Sequence, residues 1–228
     1  MTAIPPRAIH PGDRAPAFTL PAVNRDGIVS LDDYRGKRPV LIGLFRGIHC
    51  PFCRRQLVQL GTTQPKLEAA GVDTLAIVNT PVERARLYYK YRPLRLLLAS
   101  DPEVATHRAF GLPQFELIPG ETVDESEWPR KLSMATIGAI RVNPTGELPT
   151  PLPALDAISE LNRRDGFVPT AVDEQMIATH GTQLGGHFLI DPDGVVRWVQ
   201  AEARDRPADV GKFPSEEDLL SAARALAR

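Results

Sequence analysis

Val40-Leu41-Ile42-Gly43-Leu44-Phe45-Arg46-Gly47-Ile48-His49-Cys50-Pro51-Phe52-Cys53-Arg54-Arg55 is the stretch on which the reading of this chain turns. Val40 to Phe45 is a continuous apolar run of strand length, suited to a central strand covered on both faces. From Cys53 onward Leu57, Leu60 and Leu67 fall near helical spacing, so a strand runs into the two cysteines and a helix leads away from them. Cysteines at i and i+3 in a helix's first turn have Cα atoms roughly 5–6 Å apart, within reach of a disulfide. The first sulfur then sits near the unsatisfied N–H groups and positive dipole end of the helix, which lowers a thiol's pKa. Arg46, His49, Arg54 and Arg55 add nearby positive charge. These features make Cys50 the expected exposed nucleophile and Cys53, one turn inward, the resolving thiol that attacks a mixed disulfide.

Cys50 and Cys53 are the chain's only cysteines among 228 residues. A secreted domain stapled by disulfides spreads several along its length, whereas this pair closes a trivial loop and holds nothing together. A structural zinc site normally takes four ligands, and His10, His49, His107, His180 and His187 are dispersed, with only His49 beside the pair. Redox chemistry therefore ranks above metal binding or an inert buried pair, and no metal or cofactor is assigned. Met1 to Pro16 has no apolar stretch of secretory length, and no segment approaches the ~18 apolar residues of a membrane span. The expectation is a soluble cytoplasmic protein with no membrane partner. A formal net charge of -1 with scattered arginines gives no field for nucleic acid.

Outward from the dithiol, residues 17–34 read as two short extended segments around Asp26-Gly27. Pro65 is placed to kink or divide the helix after Cys53, and Gly71 to end it. Val72–Val78 reads as a second apolar strand, Pro81–Tyr91 as a helix, Leu94–Ala99 as a strand, and Asp101–Gly111 as another helix. From Leu112 to Thr182 the alternation breaks, with eight prolines between Pro113 and Pro169. This is expected to be a partly ordered insertion with helices near Pro153–Arg164 and Ala171–His180. Gly186–Ile190 and Val195–Val199 flank Asp191-Pro192-Asp193-Gly194 as a hairpin, and a terminal helix begins at Ser215. Tyr88, Tyr89, Tyr91 and Trp128 are aromatic candidates for a substrate groove, with core or surface packing the blander role.

Gly12-Asp13-Arg14-Ala15-Pro16-Ala17-Phe18, Asp26-Gly27 through Gly36-Lys37, the CPFC dithiol, Asp101–Gly111 and Gly186–Gly194 occur in an order that resembles the thioredoxin-like superfamily. The resemblance is to its peroxiredoxin-like branch, of alkyl hydroperoxide reductase and thiol-specific antioxidant type. It implies an α/β thioredoxin-like fold: a central mixed sheet flanked by helices, one domain over 1–228, with the 112–182 insertion before the last hairpin. It implies a thiol-disulfide oxidoreductase acting through Cys50 and Cys53. The alternatives are an atypical thiol peroxidase, with Cys50 peroxidatic and Cys53 resolving, and a non-catalytic redox sensor or metal module. Implied partners are a protein or small-molecule disulfide or a peroxide, an external thiol donor, and a second copy as a homodimer.

Two departures bear on the site. The branch places a proline and a threonine seven and three residues before its peroxidatic cysteine, where Gly43 and Gly47 precede Cys50. It also places an arginine three residues before the late strand's phenylalanine, where Gly185 stands. Arg46 is the candidate electrostatic replacement. Gly185 and Gly186 stand where dithiol proteins of the superfamily carry a substrate-facing cis-proline, and with Arg46 and His49 they complete the candidate substrate contacts, though a plain turn is the simpler role for the glycines.

Overall fold

The computed structural model describes residues 7–120 and 129–226; Trp128 and the first six residues lie outside them. In chain order the elements are β1 (Thr19–Pro21), β2 (Ile28–Ser30), β3 (Val40–Phe45), α1 (Pro51–Ala69), β4 (Asp73–Val78), α2 (Val82–Lys90), β5 (Leu97–Ser100) and α3 (Ala105–Ala109). They continue as β6 (Glu116–Ile118), β7 (Lys131–Ser133), α4 (Met134–Ala139), β8 (Arg141–Val142), β9 (Leu152–Pro153), α5 (Ala154–Arg164), α6 (Ala171–His180), β10 (Gly186–Ile190), β11 (Val196–Ala201) and α7 (Glu216–Leu226). The principal sheet has the order β11-β10-β3-β4-β5. β3, β4 and β5 run parallel, while β10 is antiparallel to β3 and β11 to β10.

The apolar run Val40–Phe45 became the middle strand because both of its faces are covered. Leu41 and Phe45 pack in the core with Phe52, Leu57 and Leu60 of α1, whereas Ile42 and Leu44 pack with Phe110 and Phe188. Burying a side chain of this size is worth about 1.5–3 kcal/mol. The mixed sheet fixes where the dithiol falls: the chain leaves the C-terminal end of the central strand, makes one short loop, and enters α1.

Several boundaries depart from the sequence expectations. α1 is one helix through Pro65, whose ring faces solvent. Leu57, Leu60 and Leu67 anchor the helix on both sides of it, and Lys66 pairs with Glu216 of α7 at 2.5 Å. The expected helix over 101–111 shrinks to α3, because Val104 adopts a left-handed φ of 50°. Asp101 still serves its start, accepting from the N–H groups of Ala105 and Thr106 at 3.2 and 2.7 Å. β5 starts at Leu97 rather than Leu94, and β11 extends to Ala201 rather than Val199. Between residues 112 and 182 both expected helices are present as α5 and α6, joined by α4 and by the two small pairings β6 with β7 and β8 with β9. No helix among the described residues is long and apolar enough to cross a membrane.

Candidate active site

Cys50 is the N-cap of α1. Its backbone is extended (φ -84°, ψ 113°) and Pro51 takes the first helical position, where a missing N–H costs nothing and a fixed φ suits the turn. The Cys50 sulfur accepts the backbone N–H of Cys53 at 3.4 Å, so the nucleophile candidate fills the capping role usually taken by serine or aspartate. The loop before it is pinned by Cys50 N–H on Gly47 O at 3.0 Å and by Ile48 N–H on the Thr80 hydroxyl at 2.9 Å. Both cysteines are free thiols and both are buried, Cys50 at 5 % exposure and Cys53 at 1 %. The expected exposure of Cys50 is therefore corrected: the thiol is enclosed at the helix start, with Arg46 against its sulfur.

Arg46 follows β3 directly and is itself buried. Its guanidinium spans three groups: Nε faces the Cys50 sulfur at 3.5 Å, Nη1 donates to Gln183 O at 3.2 Å, and Nη2 donates to Glu202 Oε1 at 2.5 Å. Glu202 is fully buried and also accepts from Gly185 N–H at 2.9 Å and Gly211 N–H at 2.5 Å. Gly185 thus connects to Cys50 through Glu202 and Arg46. A Cβ on Gly185 would lie 2.8 Å from Leu44 O, and one on Gly186 would lie 2.8 Å from a Leu112 methyl and 3.0 Å from Gln200 O. Close packing accounts for both glycines. Gly186 is the first residue of β10, paired with Leu44 and Ala201.

Arg54 and Arg55 do not add free charge at the thiol. Arg54 donates to Ile48 O at 2.7 Å, Asn162 Oδ1 at 2.8 Å and Asp165 Oδ2 at 2.5 Å, and lies 4.4 Å from the Phe167 ring centre. Arg55 donates to both Asp165 oxygens at 2.9 Å and to Glu147 at 2.6 Å. A second clamp, Arg84 on Asp173 at 2.7 Å, joins α2 to α6. These carboxylates all come from the 112–182 stretch. Among the aromatic candidates, Tyr89 is buried, Tyr88 packs edge-on against Tyr89 and Phe167, and Tyr91 is exposed.

The electrostatics separate the two thiols. Burial acts to raise Cys50, but hydrogen bonding with Cys53 and the charge and hydrogen bond of Arg46 outweigh it and bring the thiol down to about 6. Cys53 is pushed up by burial, by its hydrogen bond with Cys50 and by the charge on its neighbour. His49 is held down at about 4 by burial and then by Arg46, so it is neutral near pH 7. Both its ring nitrogens lack a hydrogen-bond partner among the described residues.

A mixed five-stranded sheet with a cysteine pair where the central strand meets its helix defines the thioredoxin-like class of thiol oxidoreductases. The chain belongs to the AhpC/TSA family, whose model matches residues 11–199. A Mycobacterium tuberculosis protein named as a peroxiredoxin is 32% identical over 115 residues, half of this chain and 72% of the relative. The crystal structure of reduced Plasmodium vivax 2-Cys peroxiredoxin superposes with a TM-score of 0.56 at 15% identity, over 95% of both chains. That of the peroxidoxin BcpB from Mycobacterium tuberculosis does so with 0.55 at 14% identity, over 96% of this chain and 98% of the other. The protein is thus an enzyme of the thiol peroxidase and thiol oxidoreductase kind, on a thioredoxin-like fold. Glu202, Gln183 and Asp165 escaped the sequence reading, because each lies more than a hundred residues from the cysteines and in no motif with them.

Proposed function

We propose that this chain is a thiol peroxidase that acts on small hydroperoxides and is returned to its starting state by dithiol exchange. The carrying observation is that the Cys50 sulfur faces a buried guanidinium while only 5 % of the residue is open. That setting favours a small oxidant over a protein disulfide. The Cys50 thiolate attacks one peroxide oxygen, the O–O bond breaks, and the departing alkoxide or hydroxide takes a proton from solvent, leaving a sulfenic acid on Cys50. Cys53 then attacks that sulfur, water leaves, and the Cys50–Cys53 disulfide forms. An external dithiol supplies two electrons through a mixed disulfide and regenerates both thiols. The disulfide exchange expected from the sequence becomes the second half of one cycle. Arg46 holds the thiolate in place of the arginine that Gly185 replaces.

Stopped-flow mixing of the reduced protein with hydrogen peroxide and, separately, with a model disulfide tests this through loss of free thiols. Peroxide is expected to consume both thiols quickly. Cys50→Ser abolishes the reaction, and Cys53→Ser stops at a sulfenic acid that dimedone traps. Slow reaction with peroxide beside fast exchange with the disulfide would remove the peroxidase step.

A further inference from the structure

Glu202 belongs to no motif, yet it ties together three loops around the dithiol: Arg46 after β3, Gly185 before β10, and Gly211 before α7. Gly211 in turn packs on the CPFC phenylalanine, since a Cβ there would lie 3.0 Å from the Phe52 ring. Arg46 has two acidic claimants, the Cys50 sulfur on Nε and the Glu202 carboxylate on Nη2, and all three groups are buried. In such low-dielectric surroundings one cation held between two anions stabilises each by less than it would stabilise either alone, because the anions repel each other.

We propose that Glu202 is a positioning residue that sets the reducing power of the dithiol: it fixes the Arg46 guanidinium against Cys50 and takes up part of its charge. The inference rests on the reading of Cys50 and Cys53 as a redox pair. Other charged or titratable groups at Cys50 do not replace this control. Cys53 is itself a thiol, His49 is neutral, and Arg54 is committed to Asp165. In the oxidised protein the Cys50–Cys53 disulfide carries no charge, and among the described residues Glu202 alone compensates Arg46. In the reduced protein the thiolate is a second counter-ion. Removing the carboxylate charge therefore leaves Arg46 dependent on the thiolate and favours the reduced state. The balanced reaction is Cys50–Cys53 disulfide plus two glutathione molecules giving the dithiol plus glutathione disulfide.

Glu202→Gln keeps an oxygen for Arg46 and Gly211 and removes the charge. Its Cys50 thiolate, followed by absorbance at 240 nm in a Cys53→Ser background, is expected to form about one pH unit lower than in the Glu202 protein. With both cysteines present, the dithiol-to-disulfide ratio in a glutathione buffer is expected to rise about tenfold, or about 30 mV for a two-electron couple. Both effects are expected to vanish in an Arg46→Met background. Unchanged or opposite shifts, or shifts that persist in full without Arg46, would overturn the proposal. Arg46→Lys is a second arm should the Gln variant not fold: its ammonium cannot span Cys50, Gln183 and Glu202 as a planar fork does. The thiolate is then expected to form at higher pH and the disulfide to gain stability; movement the other way refutes the assignment. Neither measurement uses peroxide. A protein that forms the disulfide without reducing peroxide would refute the peroxidase step and leave this result readable.

Discussion

Asp165→Ala removes the carboxylate that receives Arg54 Nη2 at 2.5 Å and both terminal nitrogens of Arg55 at 2.9 Å. Breaking a fully buried pair costs about 3–5 kcal/mol, and an exposed one contributes no more than about 1. The Arg54 side chain is 7% exposed and that of Asp165 25%, so this clamp lies between the limits. Arg54 also retains Ile48 O, Asn162 and the Phe167 face. A loss of about 2 kcal/mol follows, equivalent to a melting temperature lower by roughly 4–8 °C for a chain of this size. The clamp ties the turn after α5 to the first turn of α1, so the same energy is removed from the cost of lifting that turn away from the dithiol. The open population then rises roughly thirtyfold. Alkylation of Cys50 by iodoacetamide in a Cys53→Ser background, at about pH 8 where the thiol is already ionised, reads that opening directly. The control is Glu160→Ala, which removes a carboxylate paired, among the described residues, only with its helix neighbours Arg163 and Arg164 and is expected to stay within about 0.5 kcal/mol. An unchanged alkylation rate in Asp165→Ala, or an equal acceleration in the control, would refute the idea that this clamp closes the segment over the cysteines.

With both cysteines present, the rate of Cys50 alkylation is expected to rise through a midpoint near pH 6 and then level off, as the thiolate fills; a midpoint near 8.5 would show that Arg46 does not act on the sulfur. Gly47→Ala places a methyl 2.6–2.8 Å from Asn79 Oδ1, Thr80 Oγ1 and His49 Nδ1, and is expected to cost about 1–3 kcal/mol in a denaturant titration. Acid stability follows from three histidines held at about 4: His49, His107 and His187 are each lowered chiefly by burial. The unfolded chain takes up these protons near pH 6.5 and the folded chain only near 4. In a Cys50→Ser background, which removes the separate contribution of the depressed thiol, stability is therefore expected to be flat above about pH 7 and to fall as pH drops from 6.5 toward 4, at up to about 1.4 kcal/mol per pH unit for each histidine. Urea midpoints measured across that window check the slope, and His187→Asn should remove one third of it.

The parts of the fold that could be read from sequence are those governed by local pattern. Val40–Phe45 announced a central strand because no polar residue interrupts it, and Ala171–His180 carried a helix-like pattern, whose start the structure closes with a reciprocal cap between Thr170 and Asp173. Patterns of this kind concern neighbours in the chain. The helix after Asp101 was misjudged because its start depends on a left-handed Val104, a residue type for which that conformation is unfavourable and which nothing nearby forecasts. Cys50 was expected to be open because the motif alone shows a helix start and not what folds onto it. The partners that surround this helix start come from far along the chain: Gln183 and Glu202 hold Arg46 against the Cys50 sulfur, and Asn162, Asp165 and Phe167 hold Arg54.

Sequence reading offers Arg46 as an electrostatic replacement for the missing late arginine, and the geometry adds a physical connection between positions 46 and 185. At position 185 even a Cβ would meet Leu44 O at 2.8 Å and approach Glu202 Oε2 at 3.6 Å, so an arginine does not fit without moving β3. The bare glycine allows its N–H to reach Glu202 at 2.9 Å, while the Glu202 N–H returns to Gly185 O at the same distance. That reciprocal pair holds the carboxylate at the end of β11, where it meets Arg46. Position 185 and Arg46 are therefore connected through Glu202. Restoring Gly185→Arg would disrupt the existing cationic site and would not add a second.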